Sequence, residues 1–481
     1  MSFHRREVLG ALGVGAASTL LSAFACGGQV ATTRRAPQVS GEVRTWLHDA
    51  VERLATRFPS VHALAVSRHR TTAALDVLGP GLSRLRGDGV VLTVRDASGR
   101  WREHVTSELS EAGVDAAVQA LGASRQRKPL DLGRPPPTPD EPPRLDERDL
   151  RNRLELLLQS DATLSSRIVY SAGLLDIDDA TTWSVAPGRD LEQRLVRIRH
   201  AAIRAASSGS RPVVCQIERA WSGWLDDHPL QPDDVAAAGE AALELMTPGS
   251  LDDGERTVVL EPSVAAALLD AAVRSLLTTD AVRRPEAARR ATLDTRFASP
   301  LVTLIDDPTT AGAYGRFQFD DEGEPASPLT LVDAGRLAAR LADHAGGGAG
   351  RGRRPGHLAR VEPSSSHLQL VPGTASPATL RGDGLALEGG LAATVDPQLD
   401  RVRVTCARAR ELRSGSATGR VYADVELVGS LAALLTSIDA VASAPTTFAL
   451  RDDPDRDPTW RSISTPAIRT RGTVRARRSR A

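Results

Sequence analysis

The sequence predicts an α+β fold, an N-terminal α/β layer region followed by a mainly antiparallel β domain with packed helices. Three observations lead there. The chain has 481 residues, more than one hydrophobic core holds, so two or three domains are expected. Strand-like and helix-like periods alternate up to about residue 235, as in a layered arrangement. Beyond it, short alternating apolar runs separated by Gly, Pro and Asp read as an antiparallel sheet or barrel.

The elements follow in order. A helix is expected over 42–58, where Val43, Leu47, Ala50, Val51 and Leu54 share one face. ALAVSRH and GVVLTVRD alternate as half-buried strands, the second closed by a turn at Ala97, Ser98 and Gly99. SELSEAGVDAAVQALGA returns to a helical period ending at Gly122. RKPLDLGRPPPTPDEPPR is too rich in proline for helix or interior strand and reads as a linker. A helix is expected over 146–159, then a hairpin turning through Asp176, Ile177, Asp178 and Asp179, then a long helix over 191–207 with Leu195, Ile198 and Ile203 as its stripe. A helix over 235–246 leads into the β-rich half, where a helix over 258–282 packs on the sheet. The ranges are 1–35 for signal and linker, 40–123, the linker 124–145, 146–235 and 236–478.

Sixty basic and sixty acidic residues give a net charge of zero, with no electrostatic reason to expect nucleic acid as a partner. Lys128 is the only lysine, a bias expected of a GC-rich coding sequence. MSFHRREVLGALGVGAASTLLSAFACGG carries twin arginines, Arg5 and Arg6, before a short small-residue apolar run. That pattern predicts twin-arginine export to the periplasm or to a membrane-anchored lipoprotein. Cys26 is the candidate lipidation site, so the only membrane contact expected is a lipid anchor, with cleavage nearby as the alternative. Cys215 and Cys406 are expected as buried free thiols.

No strong catalytic motif stands out. HAGGGAGRGRRPG, 344–356, lacks the spacing of a phosphate loop and reads as a surface loop. None of the ten histidines pairs with another at i,i+3 or i,i+4; His344, His357 and His367 read as polar surface residues. SSSH, 364–367, reads as strand packing, and Trp221 and Trp224 as core or interface.

Three segments carry a family resemblance. SPLVTLIDDPTTAGAYGRFQFDDEGEPASPLTLVDAGRL (299–337) has an Asp-Asp-Pro turn and a Phe-Asp-Asp-Glu-Gly turn between strands. RRPGHLARVEPSSSHLQLVPG (353–373) has an Arg-Pro…Pro-Gly frame, and Asp280 falls ten residues after Asp270. Together they resemble the TldD/PmbA family of bacterial metallopeptidases, with weaker likeness in GDGVVLTVRDASGRW and VAPGRDLEQRLVRIR. By that resemblance 40–123, 146–235 and 236–478 are the family's N-terminal, central and C-terminal domains.

The family's helix carries His-Glu-x-x-x-His: two histidines a turn apart bind zinc and the glutamate polarises water, a cysteine near the C-terminus completing the site. Here those six positions read Asp270, Ala271, Ala272, Val273, Arg274 and Ser275, and no cysteine follows Cys406. No cofactor is therefore expected, although the family implies zinc. Asp270 and Arg274 form an i,i+4 pair read as a solvated charge pair, and Asp270, Arg274 and Asp280 are candidate linings of the old cavity. The resemblance implies a non-catalytic subunit or scaffold, paired with a TldD/PmbA-type homologue as a homo- or hetero-dimer and holding unfolded peptide. Alternatives are an active metallopeptidase with unrecognised ligands, and an exported protein that reuses the cavity for binding.

Overall fold

The computed structural model describes residues 40–77, 79–122, 126–134, 146–159, 165–207, 212–450 and 459–477. The twin arginines, Cys26 and most of the proline-rich linker lie outside them. The fold is α+β.

The N-terminal part begins with helix α1 (Ser40–Leu54). Strands β1 (Ser60–Asp76), β2 (Gly79–Arg95) and β3 (Trp101–Thr106) follow, then helices α2 (Glu111–Ala120) and α3 (Glu147–Leu158). β4 (Ile168–Ala186), β5 (Arg189–Ala206) and β6 (Val213–Ser222) complete one antiparallel sheet in the order β3-β2-β1-β4-β5-β6. The segments 40–123 and 146–235 thus contribute three strands each to a single sheet. Period-2 alternation gives this sheet two different faces. Ala63, Ala65, Val90, Leu92 and Val94 point to the outer face and bury against α1 and α2. On the same side Ala73, Leu175, Ile177 and Ile198 bury against Leu150 and Leu154 of α3.

Two expected elements are corrected here. The proposed hairpin through 176–179 is the middle of the uninterrupted strand β4, and the chain turns instead at Pro187 and Gly188, where Gly188 has φ +76°. The acidic run looked like a turn because its neutralising partners are remote in sequence. Arg70 on β1 donates to Asp176 at 2.8 and 2.5 Å, and Arg194 on β5 donates to Asp179 at 2.9 and 2.7 Å. The proposed helix over 191–207 is strand β5, paired along its length with β4 and from Arg197 to Ala206 with β6. Both its faces are covered, so its apolar residues need not keep to one, and cross-strand pairing overrides the helical stripe.

Helix α4 (Pro232–Glu244) leads into the C-terminal part. The expected long helix divides: Val258 to Leu260 end strand β7 (Gly254–Leu260), and helix α5 (Pro262–Leu276) begins only at the proline, whose fixed φ and missing N–H suit the first helical turn. Asp280 and Val282 lie beyond it in a 3₁₀ turn. Strands β8 (Leu304–Asp306), β9 (Leu329–Asp333) and β10 (Arg336–Leu337) follow, then the small pair β11 (Gly352–Arg353) and β12 (Glu362–Pro363), and β13 (His367–Leu370). Last come β14 (Gly384–Asp396), β15 (Arg401–Arg413), β16 (Ser416–Ser430), β17 (Ala440–Val441), β18 (Thr446–Leu450), β19 (Arg461–Thr465) and β20 (Ile468–Ala476).

These strands form two layers. Pairing runs β16-β15-β14-β7-β20 and returns to β16, closing a five-stranded barrel. The second sheet has the order β10-β9-β8-β13-β19-β18. Two pairs, β7 with β14 and β13 with β19, are parallel. One continuous core joins barrel residues such as Val404 and Leu427, sheet residues such as Leu304 and Leu368, and the α5 residues Leu268, Leu269, Val273 and Leu276. Helix α5 is buried on almost every side, and Arg274 is its one exposed residue past the first turn. Among the described residues no helix is long and apolar enough to cross a membrane.

Candidate functional site

Helix α5 places the six positions of the family motif inside the molecule. Ala271 is 2 % exposed, Ser275 is half-buried, and Asp270 is 5 % exposed. The expectation of a solvated Asp270 is therefore corrected. Arg461, the first residue of β19 and 0 % exposed, donates from Nη1 to Asp270 Oδ1 at 2.5 Å. Arg274 donates from Nε to Oδ2 at 2.9 Å. A buried charge needs a partner and hydrogen bonds to persist, and Arg461 supplies both. Its Nη1 also reaches Ser365 Oγ at 3.4 Å.

This arrangement does not fit the zinc that the family implies. Each Asp270 oxygen is already held by a guanidinium, and a fully buried cation sits beside the motif. Among the described residues no group of three or more His, Cys, Asp or Glu side chains is arranged to hold a metal. Asp280 does not join Asp270 and Arg274. It is half-exposed and pairs with Arg283 at 3.2 Å.

The two acidic turns are structural clamps. Asp306 is wholly buried. It pairs through Oδ2 with Arg351 Nε at 2.5 Å and accepts at Oδ1 from the Ser366 N–H and Oγ at 2.7 and 2.9 Å. Asp320 Oδ1 accepts from the N–H groups of Glu322 and Glu324, and its Oδ2 accepts from Gly352 N at 2.9 Å. Burial pushes the Asp320 carboxyl up to about 6 and that of Glu322 up to about 7. Gly323 has φ +78°, and a Cβ there would lie 2.4 Å from Ser184 Oγ of β4. The turn needs glycine for both conformation and close approach. Around it Arg189 Nη1 meets Glu324 Oε1 at 2.8 Å, His344 Nε2 meets the same oxygen at 3.1 Å, and His62 Nε2 meets Ser184 Oγ at 2.9 Å. Burial, aided by Arg189, holds the His62 imidazole down at about 3, in its neutral form. The turn thereby seats the C-terminal part on the inner face of the N-terminal sheet.

Other expectations change accordingly. The 344–356 stretch is not a free surface loop. Gly346 abuts Thr279, and Arg351, Arg353 and Arg354 are buried. His367 is 3 % exposed, its Nδ1 2.8 Å from Ser462 Oγ, and burial lowers its proton affinity. His344 and His357 are half-buried. Ser365 and Ser366 are buried, as packing predicts. Trp221 is core, whereas Trp224 is 55 % exposed. Cys406 is a buried free thiol, while Cys215 is free and only partly buried.

Sequence reasoning missed Arg461, Arg351, Arg353 and the inner-face charges of β1, β4 and β5. The available signal was arginine at alternate positions of apolar runs, as in Trp460-Arg461-Ser462-Ile463 and Leu195-Val196-Arg197-Ile198-Arg199. In a strand that spacing directs the charges to one covered face.

Comparison with known proteins agrees with this architecture. Residues 253–476 match the PmbA/TldA metallopeptidase C-terminal domain. A metalloprotease from Methanocaldococcus jannaschii is 28% identical over 213 residues, 42% of this chain and 47% of that protein, so the chain spans about half of its length. A metalloprotease from Methanothermobacter thermautotrophicus is 24% identical over 378 residues, covering 72% of this chain and 80% of that protein. Among solved structures, TldE from Thermococcus kodakarensis superposes with a TM-score of 0.68 at 16% identity, covering 89% of this chain and 99% of that one. At that identity the superposition speaks for the fold alone.

Proposed function

The chain belongs to the TldD/PmbA family, and from that premise we propose that it is a non-catalytic member, a subunit or scaffold that holds peptide or a zinc-bearing homologue. One observation carries the reading. Asp270, which stands where the resemblance puts the motif's first histidine, is locked between Arg461 and Arg274. A zinc site needs three or four donors converging on one point. Here a cation occupies the neighbourhood of the first of them, which favours loss of the site over a change of ligands.

The same proposal places the protein outside the cytoplasm, carried by the twin arginines, with Cys26 as its candidate lipid attachment point. The deciding measurement is metal content of the purified mature protein, alone and after co-expression with a zinc-bearing homologue from the same genome. The expected result is far less than one equivalent of zinc in this chain, no chelator-sensitive cleavage of a flexible peptide, and co-purification of the homologue. One equivalent of zinc bound by this chain, with peptide cleavage abolished by chelator, overturns the proposal.

A further inference from the structure

A cleft partly open to solvent lies between the inner face of the N-terminal sheet and the segments around Phe317, Arg353 and Trp460. Leu64, Leu195, Phe317 and Trp460 line it with apolar surface, and Arg68, Arg197, Arg353 and Arg354 bring four guanidinium groups to the same walls. The arginines come from three separated stretches of sequence: β1, β5 and β11 with the residue after it.

Three of the four are held by aromatic rings. Arg68 and Arg197 both lie over the Trp460 ring, at 4.1 and 4.6 Å from its centroid, and Arg353 lies over Phe317 at 4.6 Å. A guanidinium over an aromatic ring is held by the ring's negative face, and its N–H groups can still pair with carboxylate or phosphate.

Their charge is incompletely answered. Arg68 lies 3.5 Å from Asp178, Arg353 lies 3.4 Å from Asp321, and Arg354 pairs with Glu103. Among the described residues the Arg197 guanidinium donates only to carbonyls, those of Tyr314 and Arg316, each at 3.1 Å, and it shares Asp178 with Arg68, so four cations face three carboxylates. Burial also pushes Asp178 towards its neutral form. Among the described residues, Arg353 Nη1 and Arg354 Nε, buried at the cleft, have no hydrogen-bond acceptor, and Arg68 Nε has only Asp178 Oδ1, at the ion-pair distance of 3.5 Å. A buried donor left unsatisfied is unfavourable, and an oxyanion in the cleft would accept from it.

We propose that this cleft is a binding site for a small organic oxyanion, a carboxylate or phosphate borne on an apolar body. The anion meets Arg353 and Arg68, and the body lies on Leu64, Leu195 and Trp460. The proposal does not depend on the fate of the zinc site, because none of its residues belongs to helix α5.

The test is calorimetric titration of the full chain with matched probes: N-acetyl-leucine against N-acetyl-leucinamide, and phenyl phosphate against phenol. Both anions are expected to bind and to compete with one another, and each neutral partner to bind at least about tenfold more weakly, since it lacks the charge that pairs with arginine. Whether N-acetyl-leucine or phenyl phosphate binds tighter distinguishes a carboxylate ligand from a phosphate ligand. Arg353→Gln and Arg68→Gln should abolish the preference for the anion, while Arg353→Lys keeps part of it, each variant first checked for an unchanged circular dichroism spectrum. If those variants do not fold, the comparison of acid with amide on the native protein still decides. Equal binding of acid and amide, or no binding of either anion at millimolar concentration, overturns the proposal.

Discussion

Asp270 and Arg461 depend on each other in a way that neither depends on solvent-facing Arg274. Both are buried, and they come from a helix and a strand 191 residues apart in sequence. Removing one partner strands the other as an uncompensated charge in the core. Asp270→Ala is therefore expected to destabilise the protein by about 3–5 kcal/mol, in line with broken buried pairs elsewhere. Replacing both with apolar residues of similar volume, Asp270→Leu with Arg461→Met, removes both desolvation penalties and should recover most of that loss. Urea denaturation of the single and double variants measures it. A double variant no more stable than Asp270→Ala would mean that the pair is held by further hydrogen bonds, such as that to Ser365, and is not a closed unit.

At the scale of the element, the 320–324 turn is a joint whose strength depends on pH. The Glu322 carboxyl stands at about 7 against an ordinary value of 4.5, because burial disfavours its charged form. The folded state therefore holds a proton that the unfolded state has already released between these values, and stability falls as pH rises from about 4.5 to about 7. Asp320, pushed to about 6, acts in the same direction. His62 acts in the opposite one: its folded-state value of about 3 lies below the ordinary 6.5, so its contribution is present above 6.5 and lost as pH falls towards 3. Glu322→Gln should flatten the loss between pH 4.5 and 7 and make the protein relatively more stable at pH 8, leaving the acid-side loss intact. Thermal melts across pH test this, and parallel curves for variant and wild type would refute it. The elements with simple local signals were legible in sequence: α1 from its apolar stripe, α2 up to Gly122, α3 behind its Asp146 cap, and the β-rich C-terminal half. β4 and β5 were not, because the aspartates that suggested a turn and the stripe that suggested a helix are both resolved by neighbours on other strands. The motif positions on α5 were legible by resemblance, but the pairing of Arg461 with Asp270 was not, since an arginine within an apolar run can show that it is covered and not which residue 191 positions away it meets.

For the whole molecule, the inner face of the N-terminal sheet decides how the two halves behave. His62, Arg70, Asp176, Asp178 and Arg197 are arranged on that face, and Asp176, Asp178 and Arg197 are among the buried charges. Part of their hydrogen bonding comes from the C-terminal half. Arg197 donates to the Tyr314 and Arg316 carbonyls, Gln193 Nε2 donates to the Phe319 carbonyl at 3.0 Å, and the Gln318 N–H returns a bond to Gln193 Oε1 at 2.8 Å. Ion pairs add to the joint at Arg189–Glu324, at Arg354–Glu103, and where Arg408 and Arg410 meet Glu244 at the end of α4. Separating the halves would exchange these bonds for bonds to water, at a net cost of about 0.5–1.5 kcal/mol each. Many chains of this size unfold domain by domain. Here the shared polar joint should couple the halves, so that calorimetry of the full chain gives one transition with calorimetric and van't Hoff enthalpies in agreement. The piece 40–246, which keeps α4 whole, should fail to give a sharp melt when expressed alone, because Leu64 and Leu195, buried on its inner face in the full chain, would lose their cover. Two resolved transitions in the full chain, or a cooperative melt of the isolated piece, would show that the sheet stands without its cover and that the joint only fixes orientation.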